Sequence, residues 1–220
     1  MRPLSEEGMI GFLRWAGRTV GRRSANSLSR AGLLSWAGAA FWGAMVGLRA
    51  RQALDGDWIA GPLALQAGLA AYRLLEREPA RSESPIGWRL IAWGAALLPF
   101  ALRPGGEELM PETIAAIITL AGLALSLWAL VSLGRSFGIA PADRGLVVRG
   151  AYRVMRHPMY AGEVLSYLGY LAAHWRAWNL ALLGIVLLSA LLRIVEEEAR
   201  IAAYPAYAAR VRWRLLPGVW

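Results

Sequence analysis

The sequence predicts an all-α integral membrane protein, a polytopic bundle of about six transmembrane helices with a cytoplasmic C-terminal tail. Three observations predict it. Of the 220 residues, 57% are hydrophobic and 18% charged, and mean hydropathy is +0.39, whereas soluble domains are about 45–50% apolar and about 25% charged. Apolar stretches recur at roughly 31–50, 58–75, 86–102, 112–133, 159–175 and 177–195, each near the ~17–25 residues that a helix needs to cross a bilayer. The formal charge of +9 rests on 24 arginines, with no lysine, and these arginines alternate with the apolar stretches.

Taken in order, the first element is a basic segment, residues 1–30, with Arg2, Arg14, Arg18, Arg22, Arg23 and Arg30. Within it, Arg14, Arg18 and Arg22 recur every fourth residue, while Met9, Phe12, Leu13, Ala16 and Val20 fall largely on other faces. This spacing suits a helix lying in the plane of an anionic leaflet; a basic leader or an organelle presequence is the alternative. Spans 1–4 occupy residues 31–133. Span 1 carries Gly43 and Gly47 in a small-xxx-small spacing, which gives them a helix-packing role. The outer loops hold the turn residues Asp55-Gly56-Asp57 and Arg103-Pro104-Gly105-Gly106. Span 3 contains Arg89, and span 5 contains Glu163 and His174, so these two are the least apolar.

Arg73, Arg77, Arg81 and Arg89 follow span 2; Arg135, Arg144, Arg149, Arg153 and Arg156 follow span 4; Arg193, Arg200, Arg210, Arg212 and Arg214 close the chain. With the N-terminal six, 20 arginines share one side, leaving Arg49, Arg51, Arg103 and Arg176 for the other. The positive-inside rule makes both termini cytoplasmic. A nucleic-acid binder has no reason to segregate its arginines by alternate loops, so the expected partner of this charge is the bilayer. The arginine-only usage points to a GC-rich bacterial genome, hence an inner membrane. Absence of cysteine excludes disulfides, thiolate zinc sites and a cysteine nucleophile. Two histidines exclude a three-histidine metal centre, and no metal is expected.

Residues 134–220 form the region where chemistry concentrates. The polar segment before span 5 is long for a connector, and such loops are usually functional or disordered. Pro158 suits the first turn of a helix and biases His157 away from helix. Arg156 and His157 thus sit beside a helix start that favours anions. Along the helix that follows, Tyr160, Glu163, Tyr167, Tyr170 and His174 recur at spacings of 3, 4, 3 and 4, giving one polar and aromatic face. Glu163 falls inside the bilayer, where an ionisable group is a candidate functional residue; pairing with Arg193 is the structural alternative. Gly162, Ser166 and Gly169 lie on a neighbouring face that permits close helix contact. Span 6 ends in Glu196-Glu197-Glu198, where a solvated Glu196–Arg200 pair competes with a ligand-binding role. The short link between spans 5 and 6 makes a hairpin that joins Arg156, His157 and the glutamates. A positive half of Arg156 and His157 beside a negative half suits a zwitterionic ligand.

These residues resemble a known family. Gly150-Ala-Tyr152-Arg-Val-Met-Arg156-His157-Pro158-Met-Tyr160-Ala-Gly162 is similar to the G-x-Y-x-x-x-R-H-P-x-Y-x-G motif of isoprenylcysteine carboxyl methyltransferases and their bacterial relatives in the phospholipid methyltransferase-like superfamily. Glu197-Glu198, Tyr204-Pro-Ala-Tyr207 and Val211-Arg212-Trp213-Arg214-Leu215-Leu216-Pro217 resemble its second element, with a shortened stretch before the tyrosines. The resemblance implies a membrane enzyme that transfers a methyl group from S-adenosylmethionine to a carboxylate of a lipid-like or small apolar acceptor. It implies that Tyr152, His157, Tyr160, Gly162, Glu197 and Glu198 line the cofactor site. Arg156 or Arg193 would orient the acceptor carboxylate. A carboxylate needs no general base, whereas an amine or thiol acceptor would need one, and Glu163 or His157 could serve. A phospholipid N-methyltransferase and a steroid-reductase-like oxidoreductase are the alternatives.

Overall fold

A computed structural model describes residues 30–55, 60–218 and 220. The in-plane helix expected over residues 9–22 lies outside the described residues. Seven α-helices run in order among those described: α1 (Arg30–Leu54), α2 (Ala60–Glu76), α3 (Ile86–Leu97), α4 (Glu112–Leu133), α5 (Pro158–Ala173), α6 (Ala177–Arg200) and α7 (Tyr204–Arg210). The first six coincide with the six apolar stretches. Two segments, Glu112–Ser136 and Ala177–Arg200, are long and apolar enough to cross a membrane; α3, with 12 residues, and α5, with 16, are shorter. Six crossings are therefore more than helix length establishes. The outward faces of α4 and α6 stay apolar and exposed, with Ile117 at 61% and Leu188 at 58%. Faces of that kind fit lipid better than water.

Two turns fix the hairpins. At one end, residues 101–109 clip the α5–α6 turn: the Asn179 side chain accepts from Arg103 N (3.1 Å) and donates to Arg103 O (2.9 Å), and Trp178 Nε1 donates to Ala101 O (2.8 Å). At the other end, β1 (Ser82–Glu83) pairs antiparallel with β2 (Ala142–Asp143), and Glu78 N donates to Arg135 O (2.8 Å). The extended stretch of this loop sits at residues 142–143. The tail returns to the start of α5, where Arg156 N donates to Trp213 O (2.7 Å) and His157 N to Arg214 O (2.9 Å).

Helices α4 and α5 approach most closely because both offer small residues at matching heights. A Cβ on Gly162 would stand 2.6 Å from both Gly122 O and Ser126 N, and one on Gly169 2.6 Å from Thr119 N. The packing role expected of Gly43 and Gly47 is overturned: among the described residues, a Cβ at either meets nothing within 4 Å. Both glycines lie on an exposed face of α1, away from the side where Gly68 of α2 meets Val46, and spacing along one helix cannot reveal which face finds a partner. Gly162→Ala should therefore destabilise the protein by about 1–3 kcal/mol, because the obstacle is backbone that cannot rotate away. Gly43→Ala should be neutral or slightly stabilising. Thermal unfolding of both variants in detergent checks the contrast.

Candidate active site

The end of α6 supplies three carboxylates to three different neighbourhoods. Glu196 turns to Arg200, whose Nε donates to Glu196 Oε1 (2.7 Å). Glu197 accepts from the Tyr160 hydroxyl (2.5 Å) and lies 3.7 Å from His157 Nδ1. Glu198 accepts from Arg156 Nη1 (3.2 Å) and from Arg214 Nε (3.0 Å) and Nη2 (2.9 Å). His157 Nε2 stands 3.2 Å from Glu198 Oε1 and 2.8 Å from the Tyr204 hydroxyl. The register left open by three consecutive glutamates thus resolves to Glu197 and Glu198 at the site, with Glu196 in the i,i+4 pair.

His157 is 4% exposed. Burial alone pushes its pKa down, but the adjoining Glu197 and Glu198 carboxylates more than offset this and hold it above the ordinary histidine value. The surrounding phenols are suppressed as acids: burial raises Tyr152 and Tyr204, and lifts Tyr207 to about 12. Tyr207 donates to Tyr152 O (2.6 Å), which ties α7 to the 3₁₀ turn at Gly150–Arg153.

Two cavities flank this cluster. A polar cleft is lined by Tyr152, Arg156, His157, Tyr160, Glu197, Tyr204 and Arg144, with Leu133, Ala140 and Val147 as its apolar wall. A larger cavity of about 860 Å³ runs among α1–α6. Trp42, Ala70, Leu123, Leu130 and Phe137 make its walls apolar, while Glu163, Tyr167, Tyr170 and His174 form a polar strip along it. Met159 lines both spaces. Arg193 closes the arginine-rich end of the large cavity: it is 6% exposed, its Nη2 donates to Ile139 O (3.0 Å), and its guanidinium carbon lies 4.6 Å above the Tyr160 ring. Arg193 Nε and, one turn earlier, Ser189 Oγ are buried donors without hydrogen-bond partners among the described residues.

The residues expected from sequence are thus distributed over two spaces. Tyr152, His157, Tyr160 and Glu197 line the cleft, with Glu198 behind them. Gly162 stands against α4 and not in the cleft. Glu163 and Arg193 line the large cavity, and Arg156 lines the cleft, committed to Glu198 and to Arg212 O (3.1 Å). The positive half expected of Arg156 and His157 is therefore already neutralised by the glutamates. Sequence reasoning missed Arg144, Met159 and Ser189 as functional residues, and passed over Tyr204 and Arg214, which lie within the second element of the resemblance.

A helical protein with a polar cleft beside an apolar cavity, held by helices able to cross a membrane, is the class that fold and site define. Residues 111–206 match the family model described as phospholipid methyltransferase. The match agrees with the superfamily that the motifs resemble, and it supports a membrane methyltransferase. Among curated proteins, none matches this sequence.

Proposed function

We propose that the protein is an S-adenosylmethionine-dependent methyltransferase that esterifies the carboxylate of a lipid-like acceptor, in the manner of isoprenylcysteine carboxyl methyltransferases. The observation that carries this reading is the meeting of the polar cleft and the apolar cavity at Met159, with Tyr160 on one side and Arg193 on the other. The residues of the cleft fit the cofactor chemically. Glu197 offers a carboxylate to cationic or hydroxyl groups, and Leu133, Ala140 and Val147 offer a dry wall to a base. The free space there is about 90 Å³, enough for several waters and less than a nucleoside fills. Binding thus requires the cleft to widen.

When bound, the cofactor supplies an electrophilic methyl group, which the carboxylate oxygen takes as sulfur keeps the electron pair; no proton moves. The chain's work is placement. The unpartnered Arg193 Nε and Ser189 Oγ hold the acceptor carboxylate, the apolar cavity holds its hydrocarbon and excludes water, and the ordering of both reactants lowers the barrier. We read α1–α6 as the membrane crossings, with the cleft and both termini on the cytoplasmic side of a bacterial inner membrane. A second reading, transfer to an amine, is favoured by one observation: Glu163 lines the cavity and could take the amine proton. Incubating the purified protein with methyl-labelled S-adenosylmethionine and a membrane lipid extract tests the proposal. A base-labile labelled ester is expected; a base-stable methylamine supports the second reading, and no labelled product refutes both.

Cofactor affinity should rise with pH. The His157 imidazolium competes with the cofactor's positive charges for Glu197 and Glu198, and its raised pKa moves that competition above pH ~6.5. Tyr160, Tyr204, Arg156 and Arg214 complete its polar and charged surroundings. Calorimetry between pH 6 and pH 9 should show several-fold tightening, and His157→Gln should flatten the profile.

A further inference from the structure

We propose that Arg144 is the clamp for the carboxylate of the cofactor's amino-acid end. The inference rests on the cofactor reading above and deepens it. Among the cations lining the cleft, Arg156 and His157 are bound to glutamates, whereas among the described residues the buried Arg144 Nε has no hydrogen-bond partner and no salt bridge engages the Arg144 guanidinium. Its strongest charged influence is Arg77, of like sign; Glu83 and Glu197 attract it more weakly, and Glu83 is already paired with Arg89. Burial and the Arg77 charge lower its pKa to about 10, so it stays cationic at neutral pH. A buried donor beside a like charge and without an acceptor is a place for an anion.

The backbone around Arg144 is built to hold it still. Just ahead of it, β2 pairs with β1, and Arg81 N donates to Asp143 O (2.7 Å). The Asp143 carboxylate accepts from Gly145 N (2.9 Å), and Ser136 Oγ donates to Arg144 O (3.3 Å). Gly145, at φ +92°, makes the turn. Gly138 leaves room for the guanidinium: a Cβ there would stand 2.5 Å from Arg144 Nη1. The cleft consequently has a cationic wall at Arg144 and an anionic wall at Glu197. That polarity matches a ligand carrying a carboxylate at one end of a short chain and positive charge beside it.

The test is a residue-by-ligand cycle on the full chain in detergent, read by calorimetry with S-adenosylmethionine and its decarboxylated analogue. Wild type should bind S-adenosylmethionine at least about tenfold more tightly than the analogue, as expected for a hydrogen bond between charged groups. Arg144→Gln should erase that difference, weakening S-adenosylmethionine while leaving the analogue unchanged or tighter. Arg144→Lys should restore part of it. Equal weakening of both ligands by Arg144→Gln, or none, overturns the assignment. A wild-type chain that binds neither ligand overturns the cofactor reading itself, and this assignment with it.

Discussion

Arg193→Gln should lower methyl transfer by about a hundredfold or more, the scale set by losing the orientation of one reactant, while cofactor affinity stays nearly unchanged. Arg193 lies in the large cavity and not in the cleft, so its loss removes the acceptor's anchor and leaves Glu197, His157 and Arg144 in place. Arg193→Lys should recover little, because an ammonium neither stacks on Tyr160 nor reaches Ile139 O and a carboxylate together. Retained cofactor binding, measured by calorimetry, separates this outcome from misfolding. The companion variant Glu163→Gln decides the acceptor. With a carboxylate acceptor, removing Glu163 takes away a like charge and should leave transfer intact or faster. With an amine acceptor it removes the proton acceptor, and transfer should fall about 10²-fold or more. A collapse of transfer in Glu163→Gln with Arg193→Gln still active would reverse the roles of the two residues.

Much of this arrangement was legible in the chain. Periodicity of 3 and 4 placed Glu163, Tyr167, Tyr170 and His174 on one face, and that face is the polar strip of the cavity. Pro158 marked the start of α5, where it sits at the first helical position. The short α5–α6 link implied that Arg156 and His157 meet the glutamates, and they do. What stayed hidden depends on a partner distant in sequence. Gly43 and Gly162 carry equally suggestive spacings, but only Gly162 faces small residues on another helix. Which of Glu196, Glu197 and Glu198 enters the site depends on a 100° step about a helix axis, and three like residues in a row conceal it. Arg144 belongs to a loop with no period at all, so its burial beside the cleft follows from the β1–β2 pairing, which sets Ser82 opposite Asp143, 61 residues on, and from nothing local.

Glu198→Ala should cost about 3 kcal/mol of stability, the low end of the range for orphaning a buried charge. Glu198 is the one carboxylate that gathers the start of α5, α7 and the tail, through Arg156, His157, Tyr204 and Arg214. Its partners respond differently to its loss. Arg214 is 34% exposed and turns to water, so that contact adds little. Arg156 is 12% exposed and cannot shed its charge. His157 can, and this gives the variant a pH signature. A histidine whose folded pKa is raised contributes stability that is full below its unfolded value near ~6.5 and lost as pH rises through the folded value. The Glu198→Ala penalty should therefore be larger at pH 6 than at pH 9, and the difference is the share carried by the His157–Glu198 contact. The remainder at pH 9 belongs to Arg156. Glu196→Ala, which removes only the i,i+4 contact with Arg200, should cost about 0.5 kcal/mol or less at either pH. Chemical unfolding of the three proteins in detergent at both pH values reads all of these quantities, and a pH-independent Glu198→Ala penalty would show that His157 is neutral in the folded protein.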